Sequence, residues 1–186
     1  HAVTFVCLPE GRNAFVNAGY AGFIGSVSGI NEKRVAFGEM GGGGEGLWDG
    51  QPMPLLMRRG LEEADSLSAA LDIFRNTPRT CEYYYVISDG ENGRAAGLEC
   101  TPDVFNVVRP GETHPRLPTP VEDAVLLSAG ERYRTLVKRV KGHYGRIDSA
   151  AARDLMARPV AMQSNLHCVL FAPGERLMWV AHAADT

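Results

Sequence analysis

Residues 29–54 read GINEKRVAFGEMGGGGEGLWDGQPMP, and the rest of the chain is organised around them. The stretch opens as a turn, Gly29-Ile30-Asn31-Glu32-Lys33. It continues as a short apolar strand from Val35 and then meets four consecutive glycines, Gly41 to Gly44. It leaves through Gly46-Leu47-Trp48-Asp49-Gly50, and Pro52 and Pro54 close it before a helix. Glycines in a row lose much backbone entropy on ordering, a cost tolerated where the chain turns sharply or approaches another group closely. The stretch is therefore either a surface loop or a loop at the mouth of a substrate cleft with Trp48 as its apolar anchor.

Outward from this stretch the chain alternates blocks of strands and helices. Upstream, residues 2–8 and 12–17 form a hairpin about Pro9-Glu10-Gly11, and Gly19 to Gly29 reads as a glycine-spaced strand packed closely against another layer. Downstream, Met53 to Ala64 and Leu67 to Asn76 carry helical periodicity. Pro54 lies in the first turn of one, and Asp65 or Ser66 caps the other. Strands return at Glu82–Ser88, Arg94–Cys100 and Val104–Val108 as an antiparallel meander. The proline-rich 109–120 segment is an extended linker, and Ala124–Leu127 reads as a short buried strand. Two helices follow, Glu131–Lys141 with Tyr133, Leu136, Val137 and Val140 on its apolar face, and Ala150–Arg158 capped by Asp148 or Ser149. Two strands, Asn165–Ala172 and Arg176–Ala183, turn at Pro173-Gly174-Glu175. Short links make the strands antiparallel. The separate blocks predict an α+β single domain over residues 1–186, with two packed sheets and helices on the outer faces.

Bulk properties narrow the function. The 186 residues are 45% hydrophobic and 22% charged, enough to bury a core. A net charge of -3 gives no electrostatic case for nucleic acid, and no apolar run reaches the length of a membrane span. The four cysteines, Cys7, Cys81, Cys100 and Cys168, have no metal-ligand spacing and read as buried free thiols, with disulfides the alternative. No metal or cofactor motif is present, and GGGGEG lacks the GK[ST] ending of a phosphate loop. His167 and Cys168 are adjacent, but strand neighbours point to opposite faces, so they read as a satisfied histidine beside a thiol rather than a dyad. Glu39 is a carboxylate between apolar strand residues and the glycines; it is either a solvated strand end or a cleft residue.

Several phrases in colinear order resemble one family. They are GFIGSVSGINEK with VAFGEMG, then PLLMRRGLEEADSLSAALDIF, TCEYYYVISDGENGRAAGLECTPD, the Ser-x-x-x-Arg-Tyr pattern at Ser128–Tyr133, and SNLHCVLFAPGERLMWVAHA. Together they resemble the acyl-coenzyme A:6-aminopenicillanic acid acyltransferase family, related to the choloylglycine hydrolases. The resemblance implies the αββα four-layer sandwich of the N-terminal-nucleophile hydrolases. It also implies autoproteolytic processing that exposes an N-terminal cysteine, which attacks an acyl amide, thioester or ester and forms an acyl-enzyme, with no cofactor.

The sequence departs from that pattern. Residue 1 is His1, and the nucleophile of the family belongs some tens of residues before the Gly-Ile-Asn-Glu-Lys turn. The chain therefore reads as the later part of such a domain, incomplete at its N-terminus. Its expected partners are a second polypeptide segment of the same precursor, covering a sheet edge beside residues 2–8, and a small acyl amide or thioester. The family's oxyanion asparagine falls near Gly41, and an asparagine-histidine pair falls near Ser128-Ala129. The implied cleft residues are Glu39, Gly41, Gly42, Trp48, Ser128 and Asn165, with backbone N–H groups of the glycines in place of the asparagine. The alternative is a non-catalytic binding or structural module of the same fold.

Overall fold

The computed structural model describes residues 1–43 and 47–182. Gly44 and Gly46 of the glycine stretch, and Ala183 at the expected end of the last strand, lie outside the described residues. Strands β1 (Ala2–Cys7), β2 (Phe15–Tyr20), β3 (Ser28–Asn31), β4 (Val35–Gly41), β5 (Tyr83–Asp89), β6 (Arg94–Cys100) and β7 (Phe105–Val108) form one seven-stranded sheet. Strand order follows chain order and every pair is antiparallel. Helices α1 (Met53–Glu63) and α2 (Leu67–Asn76) cover one face. The register explains which face. Phe37 stands opposite Ile87, Tyr85 opposite Leu98 and Ile87 opposite Ala96, so these side chains share one side and pack with Leu56, Leu61 and Phe74 of the helices. Close approach is made possible by glycine. A side chain at Gly29 would meet Leu61 and the Val16 carbonyl, and one at Gly60 would meet Phe37.

Buried polar groups pin both helices to strand ends. The Asn31 side-chain amide donates to the Leu61 carbonyl at 3.0 Å and the Ala64 carbonyl at 2.7 Å, capping the end of α1. Its Oδ1 accepts from the N–H groups of Lys33 and Val35, which fixes the β3–β4 turn. Asp89 does the same at the start of α2: it accepts from Leu67 N–H, from the N–H groups of Glu91 and Asn92, and from the Asn92 amide. Burial alone would raise the Asp89 carboxyl, but the hydrogen bonds from Asn92, Leu67 and Glu91 outweigh it and hold the group below its ordinary value. Buried Arg79 donates to the carbonyls of Phe74, Thr77 and Thr101, closing the other end of α2.

The second half builds the other layers. Strands β8 (His167–Ala172) and β9 (Leu177–His182) form a two-stranded antiparallel sheet. Helix α4 (Ser149–Leu155), capped by Asp148, contacts β8 and also contacts α3 (Gly130–His143). Leu136 and Val140 of α3 pack with Val121, Leu155 and Val160, while Tyr133 and Val137 pack with Leu117. The layers are helices, sheet, sheet and helices.

Three expectations need correction. Gly19–Gly29 is not one strand: residues 21–27 leave the sheet, because Gly22 and Gly25 take φ of 80° and 111°, which no β ladder accommodates. Ala124–Leu127 makes only an isolated bridge, Val121 to Ala124. It packs through side chains instead, Val125 and Leu127 resting over the bare face of Gly97. Among the cysteines only Cys100 is buried; Cys7 and Cys81 are half-buried and Cys168 is exposed, all with free thiols. β1 is an edge strand, as expected, with Val6 and Leu8 exposed beside it.

Two stability predictions follow from the pinned helix ends. Replacing Asn31 with Ala strips partners from two carbonyls and two N–H groups and costs roughly 2–4 kcal/mol, measurable by urea unfolding. Asp89 binds protons less readily folded than unfolded, so its contribution is present above 3.8 and lost as pH falls through the lower folded-state value. Asp89→Asn is expected to lose about 1–3 kcal/mol at neutral pH. It should also flatten the acid limb of the unfolding midpoint against pH.

Candidate active-site cavity

A cavity of about 1650 Å³ lies between the two sheets. Strand alternation makes its floor: Tyr20, Ser28, Ala36, Gly38, Tyr84 and Val86 occupy the face of the large sheet opposite the helices. His167, Val169 and Val180 of the small sheet form part of its roof, and residues of α4 form a side wall. The lining is mostly apolar, as in small-molecule sites generally.

Four of the six expected residues line this cavity: Glu39, Gly41, Ser128 and Asn165. Ser128 Oγ is buried and has no hydrogen-bond partner among the described residues. The Asn165 amide donates to Cys168 Sγ at 3.7 Å. Glu39 stands opposite Tyr85, so its side chain leans to the helix side of the sheet while Gly38 and Met40 take the cavity side. Glu39 is half-buried near the end of β4, and burial raises its carboxyl above the ordinary value.

Gly42 and Trp48 lie outside the lining. Trp48 is 82% exposed, so it anchors nothing in the cleft. The N–H groups of the glycines are also largely committed. Gly42 N–H donates to the Glu82 carbonyl at 3.1 Å and Gly43 N–H to Glu82 Oε2 at 3.2 Å. Gly42 continues the β4–β5 ladder, so the alternation turns the Gly41 N–H away from β5, towards the side where β3 has already ended. Among the described glycines of the run, Gly41 is the one left to present a backbone donor.

Glu82 also accepts from the Tyr84 hydroxyl and pairs with Arg116 at 3.2 Å. Arg116 lies over the Tyr84 ring, and His114 pairs with Glu99 at 3.3 Å. This cluster ties the proline-rich linker to one rim of the cavity.

A second group escaped the sequence. Tyr20 OH contacts His167 Nδ1, and Ser28 Oγ lies 3.5 Å from His167 Nε2. Burial lowers the His167 pKa, and the charge of His182 opposite it lowers it further, so the imidazole is neutral at neutral pH. Cys168 points the other way, as alternation requires, so the two neighbours form no dyad. Tyr20 and Ser28 sit on different strands, β2 and β3, separated by residues 21–27 that leave the sheet, so no spacing in the sequence signals the group.

No family model and no curated protein matches the chain. Solved structures do. An N-acylethanolamine-hydrolyzing acid amidase ortholog from Caenorhabditis elegans aligns over 97% of this chain and 87% of its own, with a TM-score of 0.67 and 13% identity. A mutant form of the conjugated bile acid hydrolase from Clostridium perfringens aligns over 91% of this chain and 74% of its own, with a TM-score of 0.63 and 13% identity. At such identity the likeness is one of fold, and the fold is the α+β sandwich of the N-terminal-nucleophile hydrolases.

The glycine contacts give a paired prediction. A Cβ at Gly42 would lie 2.5 Å from the Glu82 carbonyl oxygen, whereas one at Gly38 meets nothing within 4 Å. Gly42→Ala is expected to lower stability by about 1–3 kcal/mol, and Gly38→Ala to stay within about 0.5 kcal/mol of the parent. Thermal melts of the two variants check this.

Proposed function

We propose that the cavity is the acyl-binding cleft of an acyltransferase or amidohydrolase of the acyl-coenzyme A:6-aminopenicillanic acid acyltransferase type. Its nucleophile is a cysteine thiolate on a polypeptide segment outside these 186 residues. The observation that carries this reading is convergence. Gly41, Ser128 and Asn165 were implied by resemblance from three distant parts of the sequence, and all line one cavity between the sheets. The matched solved structures are named as hydrolases, one of N-acylethanolamines and one a conjugated bile acid hydrolase, and we extend that class of reaction to this chain.

The chemistry assigns this chain a supporting role. The thiolate attacks the carbonyl of an amide, thioester or ester, and the tetrahedral oxygen takes hydrogen bonds from the unpartnered Ser128 hydroxyl and the Gly41 N–H. The apolar walls hold the acyl chain and exclude water. Water or an amine acceptor then releases the acyl group. The β1 edge is the place where a second segment of the same precursor would pair.

A non-catalytic module is the competing reading. It is favoured by the departures at Gly41 and Ser128 and by the capture of two glycine N–H groups by Glu82. The complete protein decides between them. Native mass spectrometry is expected to find a second, shorter polypeptide adjoining His1 and carrying a reactive cysteine. A fluorogenic acyl amide or thioester is expected to turn over until the thiol is alkylated. Absence of thiol-sensitive turnover would establish the binding module instead. Ser128→Ala is expected to lower kcat about 10- to 1000-fold with little change in KM.

A further inference from the structure

We propose that Ser28 and His167 form a second acyl-transfer site in the same cavity, with Ser28 as nucleophile, His167 as general base and Tyr20 as the residue that orients the imidazole. Its substrate class is carboxylic esters with an apolar acyl group. The inference rests on the cavity described above, not on the external thiol.

The geometry carries it. Ser28 and Tyr20 share the cavity face of the large sheet, and His167 begins β8 in the sheet above. The imidazole uses both nitrogens between them, Nδ1 on Tyr20 OH and Nε2 on Ser28 Oγ at 3.5 Å. With the proton on Nδ1, that N–H donates to the Tyr20 oxygen and the Nε2 lone pair faces the serine. This is the nucleophile, base and orienting-group arrangement that activates a hydroxyl. A separation of 3.5 Å is within the looseness of an unliganded site. The hydroxyl is also accessible. Its cross-strand neighbour is Gly38, where even an added Cβ would find open space, so nothing shields Ser28 on that side. The neutral imidazole produced by burial is the form a base requires.

The step balances without a further reactant. Ser28 Oγ forms a bond to the acyl carbon as its proton passes to His167 Nε2. The ester C–O bond breaks, and the departing alkoxide takes that proton and leaves as an alcohol. Water repeats the sequence, giving its proton through His167 and regenerating the Ser28 hydroxyl with release of the acid.

The test uses the full chain, alkylated with iodoacetamide beforehand so that any thiol chemistry is silent. A fluorophosphonate probe is expected to label it, and peptide mass spectrometry to place the label on Ser28. The labelling rate should rise with pH through a single titration centred below 6.5, the ordinary histidine value. His167→Gln keeps a hydrogen-bonding side chain but no base and is expected to slow labelling at least about 100-fold. Tyr20→Phe should slow it less, while circular dichroism melts show both variants folded. Labelling elsewhere, no labelling of Ser28, or an unchanged rate in folded His167→Gln overturns the proposal. Loss of thiol-dependent turnover leaves it standing, and its own failure leaves the thiol reading standing.

Discussion

Asn31 is the constraint on which the layered structure depends. One buried amide terminates α1, through the carbonyls of Leu61 and Ala64, and shapes the β3–β4 turn, through the N–H groups of Lys33 and Val35. The packing of α1 on the sheet removes the Leu61 and Ala64 carbonyls and the Val35 N–H from water, so each needs a protein partner. The side chain meets all of them at once because Gly29 lets the helix approach within contact of β3. Asp89 and Arg79 repeat this arrangement at the two ends of α2. The helices are thus held in register against the sheet by directional polar contacts, while the apolar contacts of Phe37, Leu56, Phe74 and Tyr85 supply the burial.

With one face of the seven-stranded sheet closed by helices, its other face is free to line a cavity. That face is built differently. Ala36, Gly38 and Gly97 leave it shallow, and the linker residues Val125 and Leu127 fill only the part over Gly97. The small sheet is joined to it by the Tyr20–His167–Ser28 contact across the gap. The same contact therefore has two consequences: it holds one layer over another, and it sets a hydroxyl, an imidazole and a phenol together on a cavity wall.

Much of the architecture was legible in the chain. Helix α2 begins and ends where periodicity, Ser66 and Pro78 place it, and β6 spans Arg94–Cys100 as the Asn92-Gly93 turn requires. These are local effects, carried by caps, turns and apolar spacing. The glycine-spaced stretch before Asn31 was less legible. A glycine can mark close packing, as Gly29 does, or a positive φ, as Gly22 and Gly25 do, and the letter is the same. Ala124–Leu127 looked like a strand because apolar alternation reports burial, not backbone pairing.

The candidate site divides along the same line. Sequence order alone determined the block pattern, hence the layered α+β class, because turns, caps and periodicities are encoded by near neighbours, while Gly41, Ser128 and Asn165 were indicated by the family resemblance of the phrases that hold them. Tertiary structure alone decided which way each of those residues faces. Glu39 leans under the sheet through its register with Tyr85, Trp48 stays in solvent, and Gly42 and Gly43 spend their N–H groups on Glu82. It also brought Tyr20, Ser28 and His167 together across 139 or more residues. No local propensity records such a meeting, since it is produced by the stacking of two sheets.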